Sequence, residues 1–262
     1  MMKLGIIGGW EEKDFEYVRS KGLEAVEFTV NHNIDADEFR TKAEAIRSYS
    51  EKYGVAVGSM GRWGMDRIAG DGSIIEKSLH DDKTVIDAAL IIGCPVYNVG
   101  INYIDSMTYY ENCMNAIKYL SALLDYIKGK DIKLATYNCD WSNFVYNDKA
   151  WSIIHTALPE LGIKYDASHC AYRGDDYMKE LRDWGSRVYH VHLKGVVIID
   201  GERYDDAPAG LDQINWGALL DVLYTKGYDG MLSIEPHSNY WTGDLGERGI
   251  DFTINYMRPF IF

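Results

Sequence analysis

Val188–Lys194 reads Val-Tyr-His-Val-His-Leu-Lys. Character alternates at every second residue, which is the period of a β-strand. Val188, His190, His192 and Lys194 then share one face, and Tyr189, Val191 and Leu193 share the other. Two histidines and a lysine in a row do not make an ordinary core face. Buried polar groups are costly without partners, so this face needs carboxylates or a metal ion from neighbouring strands.

The same kind of apolar run recurs through the chain, each time followed by a stretch of helical character. Strands are predicted at Lys3–Gly8, Leu23–Phe28, Tyr53–Met60, Cys94–Val99, Ile132–Asn138, Ile163–Asp166, Arg187–Lys194 and Met231–Glu235. Helices are predicted over Glu11–Ser20, Asp35–Lys52, Ser73–Ile92, Ser106–Lys128, Asp148–Leu158, Asp175–Trp184 and Trp216–Lys226, with a last one ending at Met257. A long loop follows the seventh strand. No linker, charge block or low-complexity segment intervenes. Eight β–α units in 262 residues have the count and size of an α/β fold of the (β/α)8 TIM-barrel type, one domain over residues 1–262. The rival is a doubly wound open sheet. Against it, Gly5-Ile6-Ile7-Gly8-Gly9 is not a G-x-G-x-x-G fingerprint, and nothing resembles a P-loop.

Forty acidic residues against 27 basic ones give a net charge of −13. That excludes nucleic acid and anionic membrane as expected partners, since both need a basic footprint. The apolar run at the start is too short for a signal peptide, and no run nears the roughly 18 apolar residues of a membrane helix. Cys94, Cys113, Cys139 and Cys170 are widely spaced with no CxxC pair, which suits a reducing cytoplasm. Self-association into a homo-oligomer stays open. Twenty tyrosines and seven tryptophans suit a pocket for a polyhydroxylated ligand, and suit core packing equally.

In a barrel of this kind chemistry sits at the C-terminal ends of the strands. The second strand ends in Glu27, the fourth in Asn98, the fifth in Thr136-Tyr137-Asn138, the sixth in Asp166, the seventh in His192 and Lys194, and the eighth in Glu235. Asp166, His192 and Glu235 form a plausible ligand set for one divalent cation: Mn2+, Mg2+, Co2+, Fe2+ or Zn2+. The competing reading has Asp166 capping a helix, Glu235 paired with a lysine and His192 satisfied in the core. His169, three residues past Asp166, is placed to bind a substrate hydroxyl or carry a proton. Lys194 is placed to neutralise an oxyanion. Trp10, Trp63, Trp141 and Trp241 follow strand ends and are candidate walls of a sugar pocket, with Glu27 a further substrate contact. No phosphate loop is evident, although Arg62, Arg67, Arg173 and Lys194 are available cations, so an unphosphorylated substrate is expected.

Asp166-Ala-Ser-His169, His190-Val-His192-Leu-Lys194 and the segment from Gly227 to Pro236 resemble the xylose-isomerase-like barrel superfamily. That group holds sugar phosphate isomerases and epimerases, ketose 3-epimerases, inosose dehydratases and AP endonucleases. The resemblance spans essentially the whole chain. It implies a divalent metal on Asp166, His192 and Glu235, with His169 touching substrate and Lys194 in the pocket. In the epimerases a glutamate ending the fifth strand is a fourth ligand and one of two bases. Here that strand has no carboxylate, and Asn138 or Thr136 is expected in its place, Asn138 as the fourth metal donor.

The expected reaction is isomerisation or epimerisation of a small sugar, with Glu235 taking a proton next to a carbonyl and His169 as partner. A lyase of the inosose dehydratase or 3-keto-glycoside-cleaving kind would use the same enolate for β-elimination. A sugar-binding barrel without catalysis is the third reading.

Overall fold

The computed structural model describes residues 1–262. Its strands are β1 (Lys3–Ile7), β2 (Ala25–Thr29), β3 (Ala56–Arg62), β4 (Val96–Val99), β5 (Lys133–Tyr137), β6 (Gly162–Asp166), β7 (Val188–Leu193), β8 (Val197–Ile199), β9 (Glu202–Asp205) and β10 (Met231–Ile234). Eight of them close into a parallel barrel in the order β1-β10-β7-β6-β5-β4-β3-β2. The helices are α1 (Glu12–Ser20), α2 (Ala36–Thr41), α3 (Ala43–Tyr53), α4 (Glu76–Ile92), α5 (Tyr109–Ile127), α6 (Asp148–Ala157), α7 (Ala167–Tyr172), α8 (Tyr177–Trp184), α9 (Trp216–Thr225) and α10 (Gly243–Met257). This is the expected (β/α)8 TIM barrel. None of its helices is long and apolar enough to cross a membrane. All four cysteines are free thiols.

Two elements depart from the sequence reading. The helix expected over Asp35–Lys52 is broken at Lys42, which ends α2 and opens α3. The cause is local. The Thr41 hydroxyl donates to the Glu38 carbonyl at 2.7 Å, the acceptor an unbroken helix would give to the Lys42 N–H. That N–H turns to the Phe39 carbonyl instead. The helix α3 then runs to Tyr53, so β3 begins at Ala56. The second departure is in the loop after β7, which holds the antiparallel hairpin β8–β9.

Outward-facing strand residues such as Val26, Phe28, Tyr165, Val191 and Leu232 pack against the helices in the main core. Parallel strands covered on both faces are expected to read as apolar runs. The barrel interior is unlike that core. Glu27, Ser59, Asn98, Lys164, His190, His192 and Ser233 are all buried, where branched aliphatic residues usually fill the layers. At the lower end Met231 fills the space left by Gly5 and Gly58, where any Cβ would strike its side chain.

A second polar knot ties the β3–α4 loop to the barrel. Arg67 Nε donates to Asp82 Oδ2 at 2.7 Å, and Tyr97 and Tyr119 each donate to the same carboxylate at 2.7 Å. Arg67 and Asp82 are wholly buried. Arg62 lies 3.6 Å from Asp81, and Arg173 pairs with Asp175 and Glu180. Lys194 lies within 3.2 Å of Asp166 and Glu235, so all four cations available for a phosphate are engaged by carboxylates.

His155 on α6 is also fully buried. Its Nδ1 lies 3.1 Å from the Leu161 carbonyl, which can only accept, so Nδ1 carries the hydrogen. Its Nε2 lies 3.1 Å from the Thr136 hydroxyl. Burial drives its pKa from 6.5 down to about 3. The unfolded chain binds a proton below pH 6.5 that the folded chain refuses, so stability is full above that value and falls as the pH drops towards 3. The loss is expected to reach about 2 kcal/mol by pH 5, at roughly 1.4 kcal/mol per pH unit. Urea unfolding at pH 7 and pH 5 measures it, and His155→Gln should flatten the decline. A decline of the same slope in that variant would assign the effect to other groups.

Candidate active site

The polar face of β7 meets a carboxylate from β2. Glu27 Oε2 lies 2.7 Å from His190 Nε2 and 2.8 Å from His192 Nε2. Burial alone would raise the Glu27 pKa, but the two imidazoles outweigh it and hold it well below the carboxylate range. Glu27 was expected to touch substrate. It sits against the two histidines with one oxygen engaged by both, and it also lines the cavity above them. For His190, burial exceeds the pull of Glu27 and lowers the pKa, keeping the ring neutral. For His192, burial is outweighed by Glu27 and then Glu235, and the pKa is raised.

With Nε2 held by Glu27, His192 turns Nδ1 towards Glu235 Oε2 at 2.9 Å and Asp166 Oδ2 at 3.9 Å. Asp166, His192 and Glu235 offer ligand atoms within 4.8 Å of one another. The donor chemistry fits a divalent cation, and a carboxylate behind the distal nitrogen of a histidine is the usual way such a ligand is oriented. The two oxygens of Asp166 differ in their surroundings. Its Oδ1 caps α7, accepting from the Ser168 N–H at 2.9 Å and hydroxyl at 2.7 Å. Its Oδ2 receives no well-directed hydrogen bond.

Lys194 enters the same space. Its Nζ lies 3.0 Å from Asp166 Oδ2, 3.2 Å from Glu235 Oε2 and 2.9 Å from His169 Nε2. An ammonium only donates, so His169 Nε2 is the acceptor and its ring is neutral with the hydrogen on Nδ1. Burial, with Lys194 against it, takes the His169 pKa down to about 3 despite Asp166. Burial would raise Glu235, but Lys194 and His192 outweigh it and keep this carboxyl well below its usual range.

The fifth strand contributes no donor to this cluster. Thr136 faces outward to His155. Asn138, expected as the fourth metal donor, has both ends of its amide on the Asp166 backbone: Nδ2 donates to the carbonyl at 2.8 Å, and Oδ1 accepts from the N–H at 2.9 Å. It positions Asp166 rather than standing beside it. Trp10 is likewise away from the cluster, packed edge-on against Phe28 and Phe39 at 5.8 and 5.4 Å.

Above the cluster opens a cavity of about 480 Å3. Trp141, half exposed, and Trp63, stacked on Tyr137 at 5.1 Å, form an aromatic wall. The hairpin β8–β9 brings Arg203 to the rim. Arg203 and His237 both bond the buried Asp206, as does Tyr172 from α7. Lys164 lines the floor. Arg203, His237, Tyr172, Cys139 and Lys164 were not singled out from the sequence. Lys164 carries a legible signal, since it stands two residues before Asp166 on the same strand face. A hollow of about 450 Å3 at the opposite mouth, near Met231, has no such convergence of carboxylates and imidazoles.

The model of the xylose isomerase-like TIM barrel family matches residues 15–259, and the chain belongs to that family. Among curated proteins it is similar to the uncharacterized protein YfiH of Bacillus subtilis (strain 168), 29% identical over 131 residues. The match spans about two-fifths of that relative, 41% of each chain. Among solved structures it is similar to 3-keto-D-glucoside 4-epimerase, YcjR, from E. coli, with 16% identity, a TM-score of 0.75, and 99% and 100% of the two chains covered. It is also similar to a D-psicose 3-epimerase solved in the presence of D-fructose, with 14% identity, a TM-score of 0.78 and 98% of each chain covered. At these identities the likeness is one of fold.

Proposed function

We propose that this chain is an isomerase or epimerase of a small unphosphorylated keto-sugar, acting by proton transfer at the carbon next to a carbonyl. One observation carries the reading: Asp166, His192 and Glu235 converge within 4.8 Å, and His192 and Glu235 line an aromatic-walled cavity. Sugar epimerases among the solved structures of the same fold support the class. A divalent cation on Asp166, His192 and Glu235 would supply Lewis acidity towards a carbonyl oxygen; the identity of the ion, among Mn2+, Mg2+, Co2+ and Zn2+, is open to exchange. Glu235 is the base. It is ionised at neutral pH, one-fifth exposed and faces the cavity, so it can take a proton from carbon and return it to the neighbouring carbon on the same face, with His169 as the proton donor where the configuration is inverted. His169, neutral, exchanges a hydroxyl proton once Lys194 releases its Nε2. Asn138 and Glu27 hold Asp166 and His192 in place. Trp63 and Trp141 receive the apolar face of the sugar.

A second reading has one observation in its favour. The fifth strand places no carboxylate in the cluster, so a second base of the Glu235 kind is missing. A single base suits proton abstraction followed by loss of a β-substituent, which would make the chain a lyase.

Incubation with D-fructose, D-psicose and 3-keto-glucosides in deuterated water with Mn2+ tests both. Deuterium incorporated at carbon with an unchanged formula supports isomerisation or epimerisation. Loss of water or aglycone supports the lyase. Neither exchange nor elimination with any keto-sugar would leave a sugar-binding barrel.

A further inference from the structure

Four cationic side chains of this protein are buried: Arg62, Arg67, Lys164 and Lys194. Arg67 is paired with Asp82 at 2.7 Å, Arg62 reaches Asp81 at 3.6 Å, and Lys194 has Asp166 and Glu235. Lys164 alone has neither a carboxylate within 4 Å nor any hydrogen bond from Nζ, although the residue is only 3% exposed. The stem of Lys164 is buried while its residue lines the cavity, and a cation with no direct partner favours a site where a ligand can supply one. Its strand explains the placement. Lys164 shares the inward face of β6 with Asp166, stands in register with His190 on β7 and Tyr137 on β5, and lines the floor of the cavity. A helix-facing position one residue away would have left the amine among apolar side chains.

We propose that Lys164 Nζ is the group that receives the anionic oxygen of the cavity's ligand, the oxygen that takes up charge when the neighbouring C–H is deprotonated. The inference rests on the enolising reaction proposed above and adds a catalytic residue to it. When Glu235 takes the proton, the C–H electron pair becomes the new C=C bond and the carbonyl π pair moves to oxygen. The ammonium meets that oxygen by hydrogen bonding, without giving up its own proton, and the reverse flow restores the carbonyl. A cation already in place on the wall of the pocket where charge develops is the kind of arrangement that lowers such a barrier. The ligand class this selects has two adjacent oxygens, at least one of them anionic when bound.

Oxalate is the probe, a planar pair of adjacent oxygens that imitates the enediolate. Its binding to the full-length protein can be followed by quenching of the cavity tryptophans Trp63 and Trp141. Lys164→Met and Lys164→Gln are expected to weaken oxalate at least tenfold, and Lys164→Arg to stay within about threefold of the parent. The Tm of the Met and Gln variants should stay near the parent's, because no hydrogen bond or ion pair of Lys164 is removed and the buried stem is kept. An oxalate affinity in Lys164→Met within threefold of the parent would overturn the proposal. So would a parent protein that does not bind oxalate, or a fall in Tm that tracks the loss of binding through all three variants. Deuterium exchange into keto-sugars is a separate readout. Exchange by the parent together with unaltered oxalate binding in Lys164→Met would sink the role of Lys164 and leave the enolising reaction standing. Oxalate binding that depends on Lys164, without exchange, would leave Lys164 as an anion-binding group and sink the enolising reaction together with the catalytic role.

Discussion

Glu235→Gln is expected to lower deuterium exchange by about a thousandfold or more, the scale of a lost general base. The substitution keeps the volume and planarity of the side chain and removes only its charge and basicity. An amide cannot take a proton from carbon, and it is a poor donor to a hard divalent cation. The barrier should rise by about 4 kcal/mol, since each 1.36 kcal/mol is tenfold in rate. The fold should tolerate the change. Glu235 ends its strand one-fifth exposed, and its backbone N–H is held by the Leu193 carbonyl whatever the side chain. Circular dichroism and Tm near the parent's, with exchange lost, is the expected pair of results. Exchange within tenfold of the parent would remove Glu235 as the base and leave His169 as the remaining acceptor.

The barrel was legible because its information is local. The apolar runs and helical stretches each fall within about 20 residues, and eight repeats of one unit admit few closed arrangements. Convergence of Asp166, His192 and Glu235 follows from that closure, since each ends a neighbouring strand. What stayed illegible depends on contacts between distant parts of the chain or on single side chains. Glu27 is 163 residues from His190, and no spacing announces that its carboxylate lies under both histidines. Asn138 has the chemistry of a metal donor; only its geometry reveals that both ends of the amide face the Asp166 backbone. Trp10 follows a strand end as Trp141 does, but Phe28 and Phe39 draw it into the core. The hairpin β8–β9 is short and exposed, with little burial to impose a pattern. The break at Lys42 turns on one threonine hydroxyl.

Lys194→Met is expected to tighten Mn2+ binding at least tenfold. In the parent the Lys194 ammonium contacts Asp166 Oδ2 and Glu235 Oε2, two of the atoms a divalent ion would take. Burial opposes its charge, but Asp166 and then Glu235 outweigh burial and raise its pKa, so the lysine stays protonated throughout the working range. An ion entering this space meets a fixed positive charge, and two unit charges 4 Å apart interact by about 4 kcal/mol at the effective dielectric of a protein surface. The lysine must swing aside before the ion can settle, and the work of moving it is subtracted from the affinity. Methionine keeps the apolar stem and deletes the charge. Lys194→Arg keeps the charge and should bind Mn2+ no better than the parent. Titration of EDTA-treated protein with Mn2+, followed by calorimetry, measures all three. The variant should also gain more in Tm from saturating Mn2+ than the parent does, because without either cation Asp166 and Glu235 repel each other. Mn2+ binding in Lys194→Met that is no tighter than the parent's would mean that the lysine and the ion do not contend for those oxygens. The site would then have to form elsewhere on the cavity floor.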